Sequence, residues 1–266
     1  MALSKGKAKF VERLRNPRLR SREGYFIVEG VRGAREVLQG ELTSEVRFVL
    51  TSPGLFGSQS GRGLMDEIVA SGFPMEEVSD REMGVLSDTE HSQGVLMAVK
   101  EPPDSFATLE REPAPRVLLL DGVQDPGNVG TLVRAARAFG LSGVIALEGT
   151  VDLFNPKVVR ASAGALAHIP VHRLPWLEAA AWLEEKGVPL LVADAGGEDV
   201  RGFELLPSWA LAVGNEGMGP RAELAAKAAG VLAISMEHGV DSLNAGVAGA
   251  ILLFALCTSS GKNAEN

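Results

Sequence analysis

Cysteine is almost absent from this chain: Cys257 stands alone in 266 residues. One thiol excludes an intrachain disulfide and a zinc cage built on several thiolates. The four histidines, His91, His168, His172 and His238, show no HExxH or comparable ligand spacing, so no metal is expected. No apolar stretch follows the N-terminus in the manner of a secretory signal. The longest run of apolar and glycine residues, Ala245–Cys257, is shorter than the ~18–20 residues of a membrane span. Internal repeats and low-complexity tracts are also missing. These absences lead to the expectation of a reduced, soluble, cytoplasmic protein with no membrane and no metal partner.

What is present describes a folded chain. Hydrophobic residues make up 45% and charged residues 23%, an ordinary balance for a globular protein. At roughly 150 residues per domain the length suggests about two domains. The net charge of −8 conceals an asymmetry. Residues 1–22 hold eight basic residues against Glu12 alone, a charge of +7, which leaves −15 for the rest. Such a basic arm reads either as a phosphate-tracking element or as a solvated, frayed terminus. The acidic body argues against non-specific coating of nucleic acid as the main task.

A proline-rich stretch, Glu101–Arg116, marks the best domain boundary, because Pro102, Pro103, Pro113 and Pro115 disfavour a long helix or a central strand. The expected domains are therefore 1–100, a linker at 101–115, and 116–266. In the first, Tyr25–Glu29, Val46–Thr51 and Val95–Val99 read as strands and Val31–Gln39 and Leu64–Ser71 as helices, with a mobile Gly/Ser loop at Ser52–Gly63. In the last, apolar strands alternate with helices. The strands are Val117–Leu120, Val144–Leu147, Ile169–Val171, Leu190–Ala193, Ala210–Val213 and Leu232–Ile234. The helices are expected near Val129–Phe139, Lys157–Ala167, Trp176–Lys186, Arg221–Ala229 and Ser242–Leu256. This alternation predicts an α/β fold with a mainly parallel sheet covered on both faces. Ligands of such sheets gather beyond the carboxyl ends of the strands.

Three segments fall at those ends. In Asp121–Gly140, a Pro126–Gly127 turn precedes Asn128, placed to cap a helix whose Val129, Leu132, Val133 and Ala136 would face the sheet. Arg134 and Arg137 lie off that stripe, as surface cations or as a guanidinium pair aimed at phosphate or a hydroxyl. In Leu211–Pro220, Gly214, Gly217 and Gly219 allow close backbone approach, and Asn215 and Glu216 sit inside the turn. GMGPRA there fits a weak variant of a dinucleotide fingerprint, which keeps a nicotinamide-dependent oxidoreductase as an alternative. In Ile234–Leu256, Ser242 can cap a helix, Asn244 sits in its first turn, and the helix is apolar nearly all round and expected to be buried.

Taken together, the three segments resemble the motifs of the SpoU (TrmH) family of RNA ribose 2′-O-methyltransferases. Asn128, Gly130, Arg134, Phe139 and Gly140 match the first motif. Gly214, Glu216, Gly217 and Gly219 match the second, and Ser242, Leu243 and Asn244 the third. Ser235 stands where the family usually has proline. The N-terminal half is similar to that family's L30e-like RNA-binding module through Phe26–Gly30 and Ser92–Val99.

The resemblance implies an α/β knot, a deep trefoil, for the C-terminal domain beside a smaller L30e-like α/β domain. It implies S-adenosylmethionine as cofactor, a homodimer sharing its active sites, and RNA as substrate, ribosomal (23S) RNA ahead of transfer RNA. By the same resemblance the reaction falls to Arg134, Asn128, Glu216, Ser242 and Asn244. Cofactor binding falls to Gly214, Ile234 and Leu243, with Met236 and Ala193 beside them. Arg134 serves either as general base or as a group orienting the hydroxyl. A non-catalytic RNA-binding protein of the same fold is the other alternative.

Overall fold

The basic N-terminal stretch is folded. In the computed structural model, which describes residues 4–102, 107–204, 206–237, 239 and 242–258, it forms helices α1 (Lys5–Arg15) and α2 (Pro17–Glu23). Ser4 caps α1 by accepting from Lys7 N–H, and the Asn16 side chain caps α2, with Pro17 in its first turn. Phe10, Val11 and Leu14 are buried, and the almost fully buried Arg20 donates to the Leu14 carbonyl at 2.9 Å. A frayed arm is thereby corrected: the apolar residues interspersed among the cations anchor α1, and the buried Arg20 ties α2 to it. Leu14→Ala is expected to cost about 2–4 kcal/mol in urea unfolding, as expected for truncating a fully buried leucine.

The chain divides into two units: Met1–Pro103 with Phe154–His168, and Asp104–Leu153 with Ile169–Asn266. In the first, α1 and α2 lead into β1 (Tyr25–Glu29), α3 (Val31–Gln39), β2 (Val46–Thr51), α4 (Gln59–Ser71), β3 (Met75–Glu77), α5 (Asp80–Leu86) and β4 (Val95–Lys100). The sheet order is β1-β4-β2-β3, with β4 antiparallel to both neighbours and β3 parallel to β2. Phe10, Leu14, Phe48, Leu50 and Leu96 form its core. The Ser52–Gly63 segment departs from the expected mobile loop. Pro53–Gly57 is a short 3-10 turn, and α4 begins at Gln59, capped by Ser58. Gly61 allows this, since a Cβ there would overlap the Leu55 carbonyl oxygen.

Of the proline-rich stretch, residues 103–106 lie outside the described residues. The short helix α6 (Ala107–Glu110) follows, placing Leu109 in the core of the second unit. Next come β5 (Arg116–Asp121), α7 (Pro126–Ala138), β6 (Gly143–Ala146), α8 (Pro156–Ala161), β7 (Val171–Arg173), α9 (Trp176–Lys186), β8 (Leu190–Asp199), β9 (Trp209–Gly214), α10 (Ala222–Lys227), β10 (Gly230–Ala233) and α11 (Ala245–Thr258). Six parallel strands run in the order β10-β8-β9-β5-β6-β7. The central strands β5 and β9 are buried along nearly their whole length, as a sheet covered on both faces requires.

Two elements depart from expectation. The helix foreseen over Lys157–Ala167 stops at Ala161, because Ala163 (φ 51) and Gly164 (φ 92) enter the left-handed region. A Cβ at Gly164 would overlap the Glu36 side chain of α3, and His168 Nε2 lies 2.8 Å from Glu36 Oε2. Residues 154–168 thus complete the first unit rather than the second. Helix α11 is buried on one face only. Gly246, Gly249, Leu252, Leu253 and Leu256 turn inward, whereas Val247, Ile251 and Phe254 are exposed. Its glycines bring it close to α7: a Cβ at Gly249 would overlap Leu132. The outer face is apolar in sequence, and among the described residues Val247, Ile251 and Phe254 stay exposed on it, Phe254 meeting Phe139 edge-on.

Candidate functional site

Parallel strands deliver their carboxyl ends to one edge of the sheet, and here β5, β9 and β10 end at Asp121, Gly214 and Ala233. Between the segments after β9 and β10, the middle of β8 and the start of α11 lies a cavity of about 390 Å³. That lies within the ~300–1,000 Å³ usual for small-molecule and cofactor sites. Its walls are mainly apolar, from Val213, Leu232, Ile234, Ala248 and Leu252, with polar groups at Asp194, Asn215, Glu216, Ser242 and Asn244.

The glycine-rich turn owes its shape to a set of hydrogen bonds. Asn215 and Gly219 exchange backbone bonds at 3.1 and 2.9 Å. Asn215 Oδ1 accepts from Gly217 and Met218 N–H, while its amide donates to the Gly122 carbonyl at 2.8 Å. Gly214 lets the turn fold back, because a Cβ there would overlap the backbone of Gly219 and Pro220. Glu216 then reaches across to the first segment. Its carboxylate accepts from Gln124 N–H (3.2 Å), Asp125 N–H (3.1 Å) and the Asn128 amide (2.9 Å). At the other end of the turn, Arg221 donates from its backbone and its guanidinium to the buried Asp121 carboxylate, and further to Glu148. Two segments about 90 residues apart in sequence are thereby locked together.

Most of the residues singled out from sequence meet here. Ala193, Gly214, Glu216, Ile234, Met236, Ser242, Leu243 and Asn244 all line the cavity. Asn128 does not, but its side chain is buried and bonded to Glu216. Arg134 is exposed on α7, six residues and about 9 Å of helix beyond Asn128. It is not part of the cavity wall. Two capping expectations are corrected. Asp125, not Asn128, caps α7, because Pro126 takes the first helical position and the Asp125 side chain accepts from Asn128 N–H at 2.8 Å. That frees the Asn128 amide for Glu216. Likewise α11 starts at Ala245, and Asn244 rather than Ser242 accepts from Val247 N–H at 3.2 Å. Sequence reasoning did not single out Asp121, Asp194 or Arg221. A lone carboxylate ending the apolar run RVLLLD was the available signal for the first.

Ser235, the departure from the family pattern, donates its hydroxyl to the Asp199 carboxylate, which also pairs with Arg201. These bonds hold Asp199 well below the usual carboxylate range, the Arg201 guanidinium contributing most. Ser235 thus supplies by hydrogen bonding a tether between β8 and the segment after β10.

Partial burial works against ionisation of Glu216, but the Asn128 amide and the backbone N–H groups outweigh it. They lower its carboxyl from the ordinary 4.5. A depressed folded value contributes stability that is complete above the unfolded value and lost as pH falls through the folded one. Hydrogen-exchange protection of the Gln124 and Asp125 amides is therefore expected to hold down to about pH 4.5 and decline below it. Glu216→Gln should weaken that protection at neutral pH. The glutamine NH2 that replaces one carboxylate oxygen cannot accept, so at least one of these N–H donors loses its partner.

Comparison with known proteins agrees with this layout. Residues 115–254 match the model of the SpoU rRNA methylase family, and residues 5–97 match the MRM3-like substrate binding domain. The chain belongs to the SpoU rRNA methylase family. It is 31% identical, over 94% of its length and 95% of the relative's, to the Bacillus subtilis 23S rRNA (guanosine(2553)-2′-O)-methyltransferase RlmP. Among solved structures it is similar to an AdoMet-bound rRNA methyltransferase from Sinorhizobium meliloti, with TM-score 0.83 and 26% identity over 96% of this chain and 95% of that one. It is also similar to the SpoU methyltransferase AviRb from Streptomyces viridochromogenes in complex with AdoMet, with TM-score 0.84 and 25% identity over 96% and 98%.

Proposed function

We propose that this chain transfers a methyl group from S-adenosylmethionine to a ribose 2′-hydroxyl of RNA, ribosomal RNA rather than transfer RNA, in the cytoplasm. One observation carries the reading: Asn128 and Glu216, from separate family motifs, meet in a hydrogen bond, and Glu216 lines a cofactor-sized cavity. The relation to a 23S rRNA 2′-O-methyltransferase over nearly the whole chain supports the ribose target and the ribosomal substrate.

The cavity fits the cofactor. Its apolar walls suit an adenosyl group, and the missing Cβ at Gly214 lets the turn fold tightly back on itself where it lines the cavity. Gly214, Ile234 and Leu243 would receive the adenosyl portion, flanked by Met236 and Ala193. When bound, the cofactor supplies a methyl group on a positively charged sulfur, an electrophile already activated for transfer. The chain's own residues then have to place a hydroxyl. Glu216 and Asn128 fix the two segments against each other. Ser242 and Asn244 present a hydroxyl and an amide from the start of α11. Arg134 orients the ribose hydroxyl and the adjacent phosphate, and its positive charge lowers the cost of ionising the 2′-oxygen.

Arg134 sits away from the cavity wall of its own chain, and α11 carries an exposed apolar face that includes Val247, Ile251 and Phe254. Both features favour a homodimer in which one subunit's Arg134 serves the partner's cavity. The C-terminal segment forms a trefoil knot in this reading. Its support is that α11 lies against α7 and against Val213 of β9, inside the sheet order, after the chain has visited the edge strand β10.

Calorimetry with S-adenosylmethionine and with NAD, combined with methyl transfer to ribosomal and transfer RNA, tests the proposal. Binding of the sulfonium cofactor and a new 2′-O-methyl mark on ribosomal RNA are expected. Cofactor binding without transfer to either RNA would overturn the enzymatic reading, and binding of NAD alone would overturn the cofactor.

A further inference from the structure

The cavity has an electrostatic character of its own. Among the described residues, its lining includes just two ionisable side chains, Asp194 and Glu216, both carboxylates, and no lysine, arginine or histidine. Glu216 is committed to three N–H donors. Asp194 is not.

A break in the sheet puts Asp194 there. Along β8 and β10 the register runs Val192 with Val231, then jumps to Glu198 with Leu232. Residues 193–197 bulge out of the ladder, and a bulge re-aims the side chains it carries. Ala193, Asp194 and Ala195 reach the cavity from this bulge. Gly197 lets the strand return, since a Cβ there would crowd the Val231 carbonyl at 2.5 Å. Asp194 is held in place by a short local bond, its Oδ1 accepting from Gly196 N–H at 2.8 Å. Its Oδ2 lies on the side of Gly219, 3.9 Å from where a Cβ of that residue would stand, and takes no hydrogen bond from the described residues.

We infer that Asp194 makes this cavity select a cofactor carrying positive charge at its reacting position over the neutral thioether that remains once the methyl group has gone. The inference rests on the proposed use of S-adenosylmethionine. The two forms of the cofactor differ by one methyl group and one formal charge. An apolar wall discriminates weakly against the loss of a methyl group, whereas the uncommitted, solvent-reachable Asp194 carboxylate attracts the charged form specifically. Spent cofactor would then leave more readily than fresh cofactor, without any change in shape of the site.

Calorimetric titration tests this with three compounds. S-adenosylmethionine and sinefungin are cationic at the reacting position, and S-adenosylhomocysteine is neutral there. Asp194→Asn keeps an oxygen for Gly196 N–H and removes the charge. It is expected to weaken the first two about five- to tenfold and the third less than twofold. Asp194→Ser, which also offers an oxygen to Gly196, should give the same pattern and guards against a folding defect peculiar to one variant. Asp194→Glu should retain the preference. In the unaltered protein, raising salt from 50 to 500 mM should narrow the gap between the cationic and neutral ligands. Equal weakening of all three would assign Asp194 to a part of the cofactor common to them and overturn the inference, as would no weakening at all. Failure of the unaltered protein to bind any of the three would instead overturn the proposed cofactor.

Discussion

Arg134→Ala is expected to lower methyl transfer by about 10²–10³-fold while leaving affinity for S-adenosylmethionine within about twofold. The side chain is exposed on α7 and carries no hydrogen bond or ion pair to the described residues, so nothing in the fold depends on it. It also lies outside the cavity wall, which separates cofactor binding from its role. Arg134→Lys keeps the charge but loses the planar fork, and should recover only part of the rate. Single-turnover transfer to ribosomal RNA, read beside calorimetry, separates the two effects. Turnover retained by the alanine variant would remove Arg134 from the mechanism. If the arginine acts across a dimer, mixing Arg134→Ala subunits with subunits altered at Glu216 should restore part of the activity.

Gly214→Ala should have the largest effect on cofactor affinity, a loss of more than about tenfold, with about 1–3 kcal/mol of stability lost to overpacking. The added methyl would collide with the backbone of Gly219 and Pro220, not with a mobile side-chain tip. Relief requires the turn to open, and the turn is held by the paired Asn215–Gly219 bonds and by Arg221 on Asp121. Opening it would drag Glu216 away from Asn128. Thermal unfolding and calorimetry measure the two losses. An alanine variant that binds the cofactor normally would show that the close approach at Gly214 is dispensable.

Much of this was legible from residue order. The alternation of apolar strands and helices gave the parallel sheet, and Trp176–Lys186 was read to the residue because Gly187 ends the helix in the left-handed region. The family motifs pointed to the residues that gather around the cavity. What stayed hidden depended on pairwise geometry. Asn128 had the composition of a cap, and only the position of Glu216 in space shows why Asp125 caps instead. Asp194 carried no signal, because a bulge is a property of two strands in register and not of one segment. The basic terminus looked like an arm because its charge masked Phe10, Val11 and Leu14, spaced for one face of a helix. The helix over Lys157–Ala167 was overcalled because Glu36, a remote residue, fills the space beside Gly164.

The piece formed by residues 154–168 has a consequence for how the protein is made. Phe154 stacks against Phe26 with ring centroids 4.7 Å apart, and His168 pairs with Glu36. During synthesis, the first hundred residues emerge long before the stretch that finishes their packing. That early portion must wait on the ribosome with part of its apolar surface uncovered until residue 168 clears the exit tunnel. A recombinant fragment ending at residue 103 would be trapped in this waiting state, and grafting 154–168 onto it should restore its solubility.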